Sequence, residues 1–111
     1  MELLDVIKAR KSVRYYDKEV KITREEIRQM IEEAALAPSG NNIQPWRIVA
    51  IEDQATKEAL KGAAFGQQQV ADAPVVFAFF AKKDAYKSVD VIYEMAVQAG
   101  YMTKEAKEQG L

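Results

Sequence analysis

Near the amino end the stretch RKSVR, residues 10–14, sets Arg10, Lys11, Ser12 and Arg14 side by side. Guanidinium forks pair bidentately with phosphate oxygens, an ammonium adds a compact positive charge, and a serine hydroxyl can donate one more bond. On an extended backbone Arg10, Ser12 and Arg14 point to one side, which is the arrangement an anion clamp requires. The same residues also read as a solvated charged face beside Asp5 and Asp17, since isolated surface clusters of this kind are common.

Two further stretches carry neutral polar chemistry. APSGNNIQPW, 37–46, strings Pro38, Ser39, Gly40 and Asn41 into a loop, and Asn42 and Gln44 add carboxamides that both donate and accept. Such groups suit the edge of a heteroaromatic ring better than a lone charge. The plainer reading is a helix-to-strand connection, with Trp46 as a core anchor. FGQQQVADAP, 65–74, puts three glutamines in succession before an apolar run. Successive helical residues face different ways, so one or two of these glutamines can enter a site at a sheet edge while Gln68 faces solvent.

Composition narrows the chemistry. The 111 residues suffice for one domain with a modest core. Sixteen basic and seventeen acidic residues leave a net charge of −1, which argues against a broadly basic nucleic-acid surface. There is no cysteine, hence no disulfide, thiolate nucleophile or Cys-ligated metal. There is no histidine either, which removes Ser-His-Asp and Cys-His catalysis and the usual zinc sites. No metal site and no catalytic side chain are expected. Any difficult chemistry then falls to a bound cofactor. The acidic start of the chain and the short apolar run 73–81 speak against a secretory signal and a membrane span, leaving a cytoplasmic protein as the expectation.

The positioning elements follow from periodicity. Leu3, Leu4, Val6 and Ile7 mark a short amphipathic helix ending near Arg10. Thr23 and Glu26 form a capping box opening a helix with Ile27, Met30, Ile31 and Ala34 on one stripe, ended by Pro38. Trp46–Ile51 reads as a strand, 53–64 as a helix with Ala55, Ala59 and Leu60 inward, and 66–72 as a further helical turn. APVVFAFFA, 73–81, has the pattern of a strand buried on both faces. Val89, Ile92, Tyr93, Ala96 and Val97 define another helix, closed by Gly100. Thr103 is a plausible N-cap for the last segment, TKEAKEQGL. This order predicts an α/β layered domain whose two strands are joined by a right-handed crossover. Two strands make an incomplete sheet, so both edges want neighbours.

Taken together, RKSVRYYD, APSGNNIQPWRIVAIED and AFGQQQVADAPVVF resemble, in order and spacing over residues 1–81, the motifs of the nitroreductase family of flavin enzymes. The P-S-x-x-N-x-Q-P-W element is the most specific of them. The resemblance implies an α+β sandwich of nitroreductase type, with helices packed on a small sheet. It implies a homodimer holding FMN at the subunit interface and passing hydride from NAD(P)H to nitroaromatics, quinones or similar acceptors. By position, Arg10, Lys11, Ser12 and Arg14 would grip the FMN phosphate and ribityl chain. Pro38, Ser39, Gly40 and Asn42 would approach the ring from the partner subunit, and Gln67 and Gln69 would stand near the ribityl chain and pyrimidine edge.

Residues 82–111 resemble only the start of the family's central helical region, and family chains are much longer. The expectation is a single nitroreductase-like domain, 1–111, shortened at its C-terminal end, either a fragment or a short relative completed by oligomerisation. Two other readings stay open. One is a non-catalytic flavin- or nucleotide-binding or assembly module of the same family. The other is a nucleic-acid-binding patch of Lys8, Arg10, Lys11, Arg14, Lys18 and Lys21 beside Tyr15 and Tyr16, which the neutral overall charge and the lack of a recognition motif disfavour.

Overall fold

A computed structural model describes residues 1–109. In chain order the elements are α1 (Leu3–Ala9), α2 (Arg24–Ala34), a 3₁₀ turn (Gly40–Asn42), β1 (Trp46–Ile51), α3 (Gln54–Ala63), α4 (Gln68–Asp72), β2 (Val76–Ala81), a second 3₁₀ turn (Ala85–Ser88), α5 (Val89–Gln98) and α6 (Lys104–Glu108). The last two residues of TKEAKEQGL lie outside the described residues. The chain divides into two compact units, Met1–Thr23 with Ala50–Val76, and Arg24–Val49 with the described residues from Phe77 onward.

The first unit contains α1, α3 and α4. Asp53 caps α3, its carboxylate accepting the Thr56 amide at 2.9 Å and the Thr56 hydroxyl at 2.6 Å. At the other end the Gly66 amide donates to the Lys61 carbonyl at 2.9 Å, while Phe65 sits in the left-handed region at φ 59°. The reversal turns α4 back along α3. Lys61 meets Gln68, Gln54 meets the carbonyl of Ala71, and Lys57 meets that of Ala73. This antiparallel pairing is an αα-hairpin.

That hairpin overturns the expected right-handed crossover. A single crossover helix carries the chain to the far end of the sheet and yields a parallel strand. Two helices, out and back, return it to the end it left. β2 is accordingly the antiparallel neighbour of β1, with the Lys82 amide just past the end of β2 donating to the Pro45 carbonyl just before the start of β1 at 2.7 Å.

In the second unit α5 supplies the anchor. Tyr93 and Ala85 are buried, as is Ile27 of α2. Val89, Ile92, Ala96 and Val97 are half-buried, so the stripe read from sequence is the inward face. α5 ends in a Schellman motif: the Tyr101 amide reaches the Ala96 carbonyl at 2.9 Å and Gly100, at φ 81°, donates to Val97 at 3.1 Å. The Ala106 amide donates to the Thr103 hydroxyl at 3.1 Å, opening α6, and Lys107 then pairs with Glu94 of α5.

Burial departs from expectation in three places. β2 is not buried on both faces: Val76–Ala78 are half-buried, but Phe79 and Phe80 are 68% and 59% exposed. In α3, Ala55 and Ala59 are exposed and Leu60 half-buried, whereas Lys57 is only 5% exposed. The carbonyls that end α4 lie against that face of α3 and attract a donor where a stripe rule expects a methyl. In α2, Met30 and Ala34 are exposed. The apolar residues of α1 are all exposed as well.

Candidate functional site

The cationic arm belongs to the first unit. α1 stops at Ala9, and Arg10 is already extended (φ −61°, ψ 132°), its amide donating to the Val6 carbonyl at 3.0 Å. Residues 10–16 then run free of helix and strand. Lys11, Ser12, Val13, Arg14 and Tyr15 surround an open cavity of about 440 Å³. Two cations and a hydroxyl face it, and no carboxylate lines it. Among the described residues none of Arg10, Lys11 and Arg14 makes an ion pair or a side-chain hydrogen bond. Their charges are therefore available to an external anion.

Arg14 also lines a second cavity of about 270 Å³, shared with Tyr15, Tyr16, Gln68, Gln69 and Asp72. The structure thus brings the arm and the glutamine run together in one unit. Within the run the three carboxamides are tied differently. Gln69 Nε2 donates to Gln67 Oε1 at 3.0 Å, and Gln67 Nε2 donates to the Ala64 carbonyl at 3.0 Å. Gln68 instead accepts from Lys61 at 3.2 Å and donates to Asp72 at 2.9 Å along the outer face of the hairpin.

Pro38, Ser39, Gly40 and Asn42 belong to the second unit. Ser39 organises their loop. Its carbonyl accepts the Asn42 amide at 3.0 Å and its hydroxyl accepts the Gln44 amide at 2.9 Å. Asn41, Asn42 and Gln44 all have positive φ, at 51°, 54° and 47°. Asparagine tolerates this conformation and glutamine does so poorly, so the loop holds strain of the kind found at ligand clamps. At Gly40 the space a Cβ would enter holds no atom within 4 Å, and the backbone is open to close approach. Asn42 and Gln44 border a largely apolar cavity of about 350 Å³ with Ile92, Met95 and Tyr101.

Sequence reasoning missed Lys57 and Asp72 as neighbours of these groups, and placed Tyr16 only beside the cationic patch. For Asp72 the signal is its place four residues after Gln68, a helical spacing that brings the two side chains together. Lys57 had no signal, since a lysine in an ordinary helical sequence reads as solvated. Among the described residues no group of acidic side chains could hold a metal ion, and no helix is long and apolar enough to cross a membrane.

Comparison with known proteins bears on the family of the chain. The model of the nitroreductase family matches residues 7–109, extending the similarity well beyond residue 81. The Bacillus subtilis protein YdgI, named as an NAD(P)H nitroreductase, is 40% identical over 109 residues, which are 97% of this chain and 52% of YdgI. An NADH dehydrogenase of Thermus thermophilus is 42% identical over 103 residues, 92% of this chain and 49% of that protein. Among solved structures, a protein of Exiguobacterium sibiricum crystallised in complex with FMN superposes with a TM-score of 0.77 at 39% identity, covering 99% of this chain and 53% of that one. The chain belongs to the nitroreductase family. It spans about half the length of the curated relatives it matches.

Proposed function

We propose that this chain forms the FMN-binding part of a cytoplasmic oxidoreductase that takes hydride from NAD(P)H and delivers it to quinones, nitroaromatics or similar acceptors. The observation that carries the reading is the arm at 11–15: two cations and a hydroxyl around a cavity with no carboxylate, their charges unspent inside the protein. The fit to a phosphorylated flavin is chemical. Arg10, Lys11 and Arg14 match the phosphate oxygens, and Ser12 donates to the same group. Gln67 and Gln69 offer carboxamides toward the ribityl chain and pyrimidine edge.

In a homodimer, Pro38, Ser39, Gly40 and Asn42 of a second copy approach the ring. Gly40 leaves its backbone open there, and the Ser39–Gln44 bond keeps the loop in place. Bound FMN would itself supply hydride acceptance and donation, which accords with a chain lacking histidine and cysteine. The protein's part is to hold, orient and exclude water, and small errors in such positioning reduce rates steeply.

The test is direct. Purified protein titrated with FMN should quench flavin fluorescence and elute yellow as a dimer, then oxidise NADH or NADPH with a quinone. A protein that stays colourless with saturating FMN overturns the reading. A second reading, a flavin-binding module without turnover, draws on the coverage of only about half of each relative. FMN binding with no NAD(P)H oxidation would favour it.

A further inference from the structure

Lys57 stands out as a buried cation that the proposed site does not use. At 5% exposure, its ammonium donates to the Ala73 carbonyl at 2.7 Å, and among the described residues it has no ion pair. Placing a charge there with only the more distant Asp53 carboxylate acting on it is unfavourable, and an apolar side chain of similar length would avoid the penalty. Its acceptor explains the choice. Ala73 caps the C-terminal end of α4, where helix carbonyls lack intrahelical donors and the dipole is negative. One turn earlier on the same face of α3, Gln54 Nε2 donates to the carbonyl of Ala71 at 3.0 Å. Two side chains of α3 thus hold the carbonyl of Ala71 in α4 and that of its C-cap, Ala73.

The grip continues into the glutamine run. Ala73, held at its carbonyl by Lys57, donates through its N–H, in the preceding peptide group, to the Gln69 carbonyl at 3.0 Å. Gln69 Nε2 then donates to Gln67 Oε1, and Gln67 Nε2 to the Ala64 carbonyl at the end of α3, each at 3.0 Å. The circuit leaves α3 at Lys57 and re-enters it at Ala64. Every group in it is a directional hydrogen-bond partner, so its geometry is fixed more narrowly than apolar packing alone would fix it.

We propose that Lys57, seconded by Gln54, is a positioning residue that sets the orientation of Gln69 and Gln67 toward the cofactor through the backbone of Ala73. The proposal rests on the flavin-binding reading above for its purpose, while its structural half can be read without any cofactor. α4 has only five residues and is too short to hold itself in water. Its orientation must come from outside, and these two polar side chains supply it.

The experiment compares wild type with Lys57→Met, Lys57→Arg and Gln54→Leu in the full chain. Amide hydrogen exchange is followed at Val70 and Ala73 in α4, with Ala99 and Tyr101 at the end of α5 as internal reference, and FMN affinity is taken from fluorescence quenching. Losing a hydrogen bond from a charged donor should speed exchange at Val70 and Ala73 about tenfold or more in Lys57→Met and weaken FMN binding about tenfold, with the α5 amides unmoved. Lys57→Arg, which keeps a donor for Ala73, should recover most of both. Gln54→Leu should show the same pattern more weakly, and it carries the comparison if Lys57→Met fails to fold.

Unchanged α4 exchange, a parallel rise in the α5 amides, or no recovery with arginine overturns the positioning role. Faster α4 exchange with unaltered FMN affinity also overturns it, because the latch would then be structural only. A wild-type chain that binds no FMN ends the flavin reading and this role with it, yet the exchange data still report whether the latch exists. The two failures are therefore distinguishable.

Discussion

The Ser39 hydroxyl accepts the Gln44 amide at 2.9 Å, and so one side chain closes a loop that is left-handed at Asn41, Asn42 and Gln44. The left-handed glutamine stores about 1 kcal/mol, and the closing bond helps retain it. Ser39→Ala should lower stability by about 1 kcal/mol and weaken FMN binding severalfold, whereas Ser39→Thr should retain most of both. Thermal melts and flavin titrations of the two variants check this, and an alanine variant indistinguishable from wild type refutes it.

Arg14 lines two cavities of the first unit and makes no ion pair among the described residues. Arg14→Ala should reduce FMN affinity at least tenfold, by analogy with other charge-assisted contacts. Arg14→Lys should restore only part, because an ammonium lacks the bidentate fork. Affinity for riboflavin, which has no phosphate, should change much less. Equal losses for FMN and riboflavin would move Arg14 away from the phosphate.

Phe65 occupies the left-handed position after α3 at φ 59° with its side chain 97% exposed. Glycine is the residue suited to that position. Phe65→Gly should stabilise the chain by a few tenths to about 1 kcal/mol, the relief of strain exceeding the entropy glycine adds to the unfolded state. The melting temperature reports it, and a fall would mean that the exposed ring has a partner in solution.

The Asp53 carboxyl lies below its ordinary 3.8, chiefly through the bonds from the Thr56 hydroxyl and amide. A depressed acid adds stability above its ordinary value and loses it as pH falls through the folded one. Asparagine also caps helices but does not titrate. The stability difference between wild type and Asp53→Asn should therefore be constant near neutrality and shrink below pH 3.8. Melts across an acid series decide the matter.

The bond from Lys107 lowers Glu94 below its ordinary 4.5, and the same bond raises Lys107 above 10.5. The pair therefore steadies α6 between those limits. Its contribution disappears as pH falls through the lowered carboxyl value or rises through the raised ammonium value. Glu94→Gln should flatten both flanks of the stability profile, to an extent limited by solvent screening at this exposed pair. A flank that persists in the variant would belong to other groups.

Legibility followed the kind of force involved. β1 was read to the residue because β-branched residues sit between a proline turn and an aspartate cap, all local signals. α5 and its Gly100 ending were equally plain. Strand direction was not legible, because it depends on whether one helix or two intervenes, and the five residues of α4 looked like a mere turn. Lys57 was invisible for a related reason: its partner, a backbone carbonyl sixteen residues on, has no side-chain signature. Among the site residues, sequence singled out all three stretches, and structure adds the local fastening of two of them. The Ser39–Gln44 closure and the Gln69–Gln67–Ala64 chain are local hydrogen bonds of ordinary length that no residue pattern announces.

The two-stranded ribbon has a practical consequence for anyone handling this chain. With Phe79 and Phe80 exposed on β2 and only two strands in the sheet among the described residues, it will tend to add strands from neighbouring molecules. Recovery after denaturation should improve with dilution, and turbidity should rise with concentration before any loss of helical signal. Replacing Phe80 with lysine, a charge set on a sheet margin, should keep the solution clear.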